Sequence, residues 1–197
     1  LPRPSYLPTN TVLNLYDKEN DIRYNAYFTY DSIDAQTVPD FMITYCKKWP
    51  GNPELYEGKS NNINKTKAFR ISEMYLIAAE AYAMSGDETN ASAMLNKLKT
   101  ARVKGWSDKS YKGDALIKEI QDEYVRELFG EHPYLFDLKR WKKGLNRSSS
   151  EAQDISYLPA LGTDMVKAAD DYMWVWPIPK DEIDANPQIK GQQNAGY

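Results

Sequence analysis

The 197-residue chain has one cysteine, Cys46, and one histidine, His132. A single thiol makes no disulfide framework, and the two residues cannot supply a cysteine/histidine zinc site, so the sequence suggests no metal site and no cofactor. His132 has neither a nearby cysteine nor a serine elbow motif, which leaves a nucleophilic triad without visible parts. No run approaches the ~20 apolar residues of a membrane-spanning helix. Excess positive charge is missing too. A net charge of −3 and a pI near 5.3 give no general attraction to polyanions, and no nucleic-acid partner is expected. The opening LPRPSYLPTN lacks an initiator methionine, a basic n-region and an apolar h-region, and reads as the start of a fragment or processed form.

The 42% hydrophobic content is enough for a packed core. The organising stretch is Arg70 to Arg102, RISEMYLIAAEAYAMSGDETNASAMLNKLKTAR, which reads as two amphipathic helices folded back at Ser85-Gly86-Asp87. Gly86 tolerates the left-handed conformation that ends a helix, and Asp87 can cap the next one. Met74, Ile77, Ala78 and Ala81 recur at helical spacing and are expected to face inward, as are Ala91, Met94, Leu95 and Leu98 in the second arm. Tyr75 and Tyr82 are placed as wedges, with Ala79 the small residue at the crossing, which is the pattern of a tetratricopeptide-type pair. Such a pair cannot bury both faces alone, so neighbouring pairs are expected. No second clear copy is visible in the chain.

Residues 1–65 are rich in Pro, Asn, Asp and Tyr and read as an irregular, loop-rich segment with an edge hairpin, Tyr24 to Phe28 looking strand-like. Residues 66–145 form the expected helical core. After the hairpin comes a linker containing Trp106, then a third helix from an Asp114 cap to about Gly130, burying Ile117, Ile120, Tyr124 and Leu128, with Leu116 and Val125 widening the stripe. A short fourth helix runs from Pro133 to about Trp141. Residues 146–197 read as loop and C-terminal tail packed on the helices, with Tyr172 to Trp176 alternating like a strand.

RISEMYLIAAEAYAMSGD, LNKLKTAR, EIQDEYVRELFGE, LFDLKRW and WPIPKDEIDANPQIKGQQNAGY occur in that order. Together they resemble the C-terminal half of the SusD/RagB family. The likeness is looser before Lys65, through LYDKENDIRYNAYF and KKWPGN, and the pattern departs from the family at His132-Pro133-Tyr134. The resemblance implies a mainly α fold of tetratricopeptide-like helix pairs, an α-α superhelix with long irregular loops. It also implies a lipoprotein of the outer membrane's outer surface that captures a glycan or peptide for a SusC-like TonB-dependent transporter. The lipid-bearing cysteine of the family follows a signal peptide, so mid-chain Cys46 is not that residue. The N-terminal half of such a protein is an implied partner.

Each constellation that suggests chemistry has a plainer competitor. Glu119, Asp122, Glu123, Glu127 and Glu131 line one helix as the paired acids of a glycosidase might, but Lys118 and Arg126 interleave with them and favour a solvated or salt-bridged face. Asp17, Glu19 and Asp21 have calcium-loop spacing, yet Ile22 stands where an EF-hand needs glycine and Phe28 where it needs glutamate. His132 reads as a helix-end residue. Asp137 and Arg140 read as an intrahelical pair beside Trp141. Trp174 and Trp176 read as pins for the tail. Fifteen tyrosines and five tryptophans suit sugar, whose C–H faces stack on aromatic rings. Tyr6, Tyr16, Trp49 and Tyr56, outside the helical stripes, are the candidate ligand contacts, with loop anchoring as the competing role. The expected function is non-enzymatic nutrient capture. The alternative is a helical-repeat adaptor binding a protein or peptide in its groove.

Overall fold

The structure, a computed structural model, describes residues 7–33, 41–51, 64, 67–131, 134–147, 153 and 166–197. Its centre is the helix pair α3 (Ile71–Met84) and α4 (Glu88–Thr100), against which α5 (Gly113–Glu127) packs. The turn forms as the sequence suggests. Gly86 has φ of 85°, its amide bonds to Ala83 O at 3.1 Å, and the Asp87 amide reaches back to Tyr82 O at 2.9 Å. Asp87 then caps α4 by accepting from the Asn90 amide at 3.0 Å. Helix α5 starts at Gly113, so Asp114 lies in its first turn and is not the cap. The Gly113 amide is instead met by Glu88 Oε1 of α4 at 2.7 Å.

Leu76 and Ala79 of α3, Ala91, Leu95 and Leu98 of α4, and Leu116, Ile120 and Tyr124 of α5 make the buried interior. Ala79 and Ala91 have no exposed surface, as a close crossing requires. The inward face of α3 is not the expected one. Ser72, Leu76 and Ala79 are buried, while Met74 and Ile77 are 44% and 47% exposed and Ala81 and Tyr82 also face out. Both faces of α3 are apolar, so periodicity alone could not say which one α4 and α5 cover.

Before this core come α1 (Asn10–Leu13), α2 (Ile22–Tyr27) and a hairpin of β1 (Phe28–Ile33) with β2 (Phe41–Cys46), antiparallel with Phe28 opposite Cys46. The strand-like reading of Tyr24 to Phe28 is corrected: the segment is helical through Tyr27 and extended only from Phe28. Asp21 decides this by accepting from the Arg23 amide at 2.9 Å as an N-cap. Leu13, Tyr16 and Phe28 form a satellite core with Tyr24, Tyr27 and Phe129 against it, and Phe28 meets Phe129 edge-on at 5.0 Å.

The chain forms two compact units. The one just described takes in the described residues up to 131 together with Gln153. The other holds α6 (Tyr134–Arg140), a short antiparallel pairing of β3 (Leu145–Asn146) with β4 (Val166–Lys167), and α7 (Lys180–Ala185) followed by a 3-10 helix, Pro187–Gln192. Tyr172–Trp174 is also a 3-10 turn, capped by Asp171, where alternation suggested a strand. Trp174 donates its indole N–H to Ala168 O at 2.5 Å, but Trp176 is 81% exposed and so pins nothing within this unit. No helix among the described residues is long and apolar enough to cross a membrane.

Candidate functional site

The acidic row of α5 and its extension, Glu119, Glu123, Glu127 and Glu131, repeats every four residues and therefore shares a face. Far from being solvated, Glu123 and Glu127 are fully buried, which a pattern of interleaved charges did not disclose. Their counterions arrive from remote parts of the chain. Arg23 on α2 donates to Glu123 Oε1 at 2.6 Å and Glu127 Oε2 at 2.9 Å while its other edge holds Asp21. Arg102, just past α4, grips both oxygens of Glu127 at 2.9 Å, and Arg70 adds a bond of 2.6 Å. Lys48 pairs with Glu131 at 2.5 Å and donates to Phe129 O at 2.7 Å, placing a cation where the end of α5 presents carbonyls. Arg126 and Lys99 complete the row by bonding both Glu119 and Glu123.

Burial alone would raise the Glu123 pKa, but Arg126, Arg23 and Lys99 outweigh it and lower the value to about 2. Glu127 and Glu131 are lowered for the same reason, burial being overcome by Arg102, Arg23 and Arg70 in one case and by Lys48 and Arg70 in the other. A glycosidase acid must hold its proton near neutral pH, which calls for a raised pKa. The buried glutamates are held as carboxylates, and their oxygens are taken by arginine and lysine. Glu123, Glu127 and Glu131 join segments together and are unsuited to act as a general acid.

Above this row lies a cleft of about 500 Å³, within the ~300–1,000 Å³ span of small-ligand sites. Leu15, Asp17 and Asn20 line one side, Lys104, Trp106, Lys109 and Tyr111 the other, and Arg23, Lys99, Glu119 and Arg126 of the ion-pair row contribute as well. The wall containing Trp106 is rigidly held. Asn96 of α4 accepts from the Trp106 indole at 3.2 Å and the Lys109 amide at 3.2 Å and donates to Lys109 O at 2.9 Å, while Ser92 exchanges bonds with the Tyr111 backbone at 3.1 and 3.3 Å. The opposite wall is tied in by the Lys104 amide to Asn20 O at 3.0 Å. Lys99 and Lys109 ammonium groups lie 4.7 and 4.6 Å from the centre of the Trp106 ring. Burial pushes the Tyr111 phenol up to about 12, so it stays a neutral donor. Carboxylates, ammonium groups, amides and two aromatic rings suit a neutral, hydroxyl-rich ligand. The sequence placed Trp106 in a linker, and its only signal there was an aromatic beside a glycine.

Of the four aromatic residues singled out from sequence, Tyr6 and Tyr56 lie outside the described residues. Tyr16 is 5% exposed, donates its hydroxyl to Arg126 O at 2.9 Å and packs edge-on against Phe28 at 5.4 Å. A ring so enclosed offers no face to a ligand and anchors its loop. Trp49 is half-buried, with the Lys67 ammonium 5.8 Å from its ring centre. A Cβ built on Gly130 (φ 71°) would lie 3.3 Å from the Trp49 indole nitrogen, so this glycine allows both the turn and the close approach. Neither Tyr16 nor Trp49 lines the cleft.

Asp17 spends its carboxylate on the Glu19 and Asn20 amides, both at 3.1 Å, and Asp21 on Arg23. Among the described residues no cluster of histidine, cysteine and carboxylates has metal-binding geometry. Asp137 pairs with Arg140 at 2.9 Å, and the guanidinium lies 5.2 Å from the Trp141 ring centre, the intrahelical arrangement foreseen. His132 lies outside the described residues.

A helix pair of tetratricopeptide type with a third helix across it, joined to loop-rich segments, defines a helical-repeat protein. The SusD family model matches residues 17–197, and the chain belongs to the SusD family. A SusD superfamily protein from Bacteroides thetaiotaomicron is similar at 26% identity with a TM-score of 0.71, over 94% of this chain and 40% of that one. A protein from Bacteroides vulgatus, provisionally described as sugar binding, is also 26% identical with a TM-score of 0.64, over 96% of this chain and 39% of its own. A SusD-like carbohydrate binding protein from the same species shares the fold at 20% identity and a TM-score of 0.67. The chain thus spans about 40% of the length of the solved relatives it matches. No curated protein matches its sequence.

Proposed function

We propose that the protein captures a glycan at the outer surface of the outer membrane and passes it uncleaved to a SusC-like TonB-dependent transporter. Family membership across residues 17–197 is the observation that carries this reading. The 26% identical relative described as sugar binding supports it, as does a polar, aromatic-walled cleft of small-ligand size. In this chain the cleft beside Trp106 supplies hydrogen-bonding groups for hydroxyls, and half-buried Trp49 supplies a ring for stacking.

Calorimetric titration of the protein, expressed from its own gene, with a panel of oligosaccharides and a matched panel of peptides tests the proposal. Saturable binding of an oligosaccharide is expected, weakened about fivefold by Trp49→Ala or Trp106→Ala if the altered ring stacks on the sugar, since such a contact contributes ~1 kcal/mol. Binding confined to peptides, or oligosaccharide binding indifferent to both substitutions, contradicts the glycan reading or its placement.

A further inference from the structure

The cationic side chains that line the cleft are not held alike. Arg23, Lys99 and Arg126 all pair with Glu123 and belong to the buried row, and Lys99 is fixed by Glu119 as well. Lys104 and Lys109 stand outside that row and are exposed. Among the described residues the Lys109 ammonium has the Trp106 ring, 4.6 Å from its centre, in place of a carboxylate. Its main chain cannot follow a movement of the side chain, because Asn96 accepts from the Lys109 amide and donates to the Lys109 carbonyl. The stem alone is free to swing, and exposed side chains change rotamer within nanoseconds.

Trp106 therefore meets two ammonium groups at nearly equal distance, Lys99 at 4.7 Å and Lys109 at 4.6 Å from the ring centre. The quadrupole of the ring attracts each of them, but the two like charges repel. Glutamates offset that repulsion for Lys99 and not for Lys109, so Lys109 is the one that can leave. The indole N–H is taken by Asn96, and a ligand must use the ring surface, where a sugar would set its C–H groups in the volume that the ammonium fills. We propose, resting on the reading of the cleft as a glycan site, that Lys109 determines its affinity by gating the Trp106 ring: the ammonium covers the ring and swings out when a sugar face replaces it. Binding is then an exchange, and the stacking contact is offset in part by the cation–π contact it displaces.

Acrylamide quenching of tryptophan fluorescence, in the protein expressed from its own gene, reads the gate without any sugar. Lys109→Ala keeps both main-chain bonds to Asn96 and uncovers the ring, so the quenching constant should rise, and the rise should vanish in a Trp106→Phe background. Lys109→Arg, whose guanidinium also covers a ring, should leave quenching near the level of the unaltered protein. Calorimetric titration with the oligosaccharide selected by the panel above should show binding about two- to fivefold tighter in Lys109→Ala, the size of an exposed cation–π contact. Quenching that does not rise, or that rises equally without Trp106, overturns the gate, as does an oligosaccharide bound equally or more weakly by the Lys109→Ala protein. A Trp106-dependent rise with no oligosaccharide bound by either protein upholds the gate and overturns the glycan reading.

Discussion

Glu127 accepts from Arg23, Arg70 and Arg102, three side chains that reach it from widely separated segments. Glu127 is fully buried and removing its charge weakens three ion pairs at once, so Glu127→Gln should cost about 3–5 kcal/mol in urea denaturation. A loss below ~1 kcal/mol would show that the row is not the joint described. The acid dependence follows from the lowered pKa of Glu123, Glu127 and Glu131. Because the folded values lie below the ordinary 4.5, these carboxylates stabilise the fold fully above that pH, and their contribution is lost as pH falls towards about 2. The thermal midpoint should therefore drop steeply between about pH 5 and pH 2, and less steeply in the Glu127→Gln protein. The four-residue spacing of the glutamates could be read from the sequence. Their partners could not, because Arg23, Lys48, Arg70 and Arg102 lie too far along the chain for a local pattern to pair them.

At the scale of elements, the hairpin was legible because a few residues decide it: Gly86 takes the positive φ, Asp87 caps, and Ala79 and Ala91 permit the close crossing. The orientation of α3 was not, since periodicity marks apolar stripes and α3 has two. This separates Leu95→Ala from Tyr82→Ala. Leu95 is 1% exposed, and its truncation should cost about 2–5 kcal/mol in the 197-residue chain. Tyr82 is 39% exposed there, and its truncation should cost less than ~1 kcal/mol. Equal losses from the two would restore the face suggested by sequence alone. The short elements misread at Tyr24 to Phe28 and at Tyr172 to Trp176 have a common cause. In each an aspartate immediately before the helical turn, Asp21 or Asp171, accepts from a backbone amide and outweighs aromatic residues that favour strands.

For the whole molecule, the motifs from RISEMYL to the closing NAGY made the family legible, because their order matters more than any one of them. The cleft was not legible, since its walls join Asp17 and Asn20 to a stretch some ninety residues later that reads as a linker. The functional account rests on capture without turnover: the buried glutamates are locked as carboxylates by their cations, and the cleft offers hydrogen bonds and rings. The most direct measurement is to incubate the protein expressed from its own gene with an oligosaccharide it binds, then quantify every sugar species by chromatography. The account predicts complete recovery of intact ligand. Cleavage products that persist after repurification and vanish on Glu119→Gln or Asp17→Asn, two of the carboxylates lining the cleft, would contradict it.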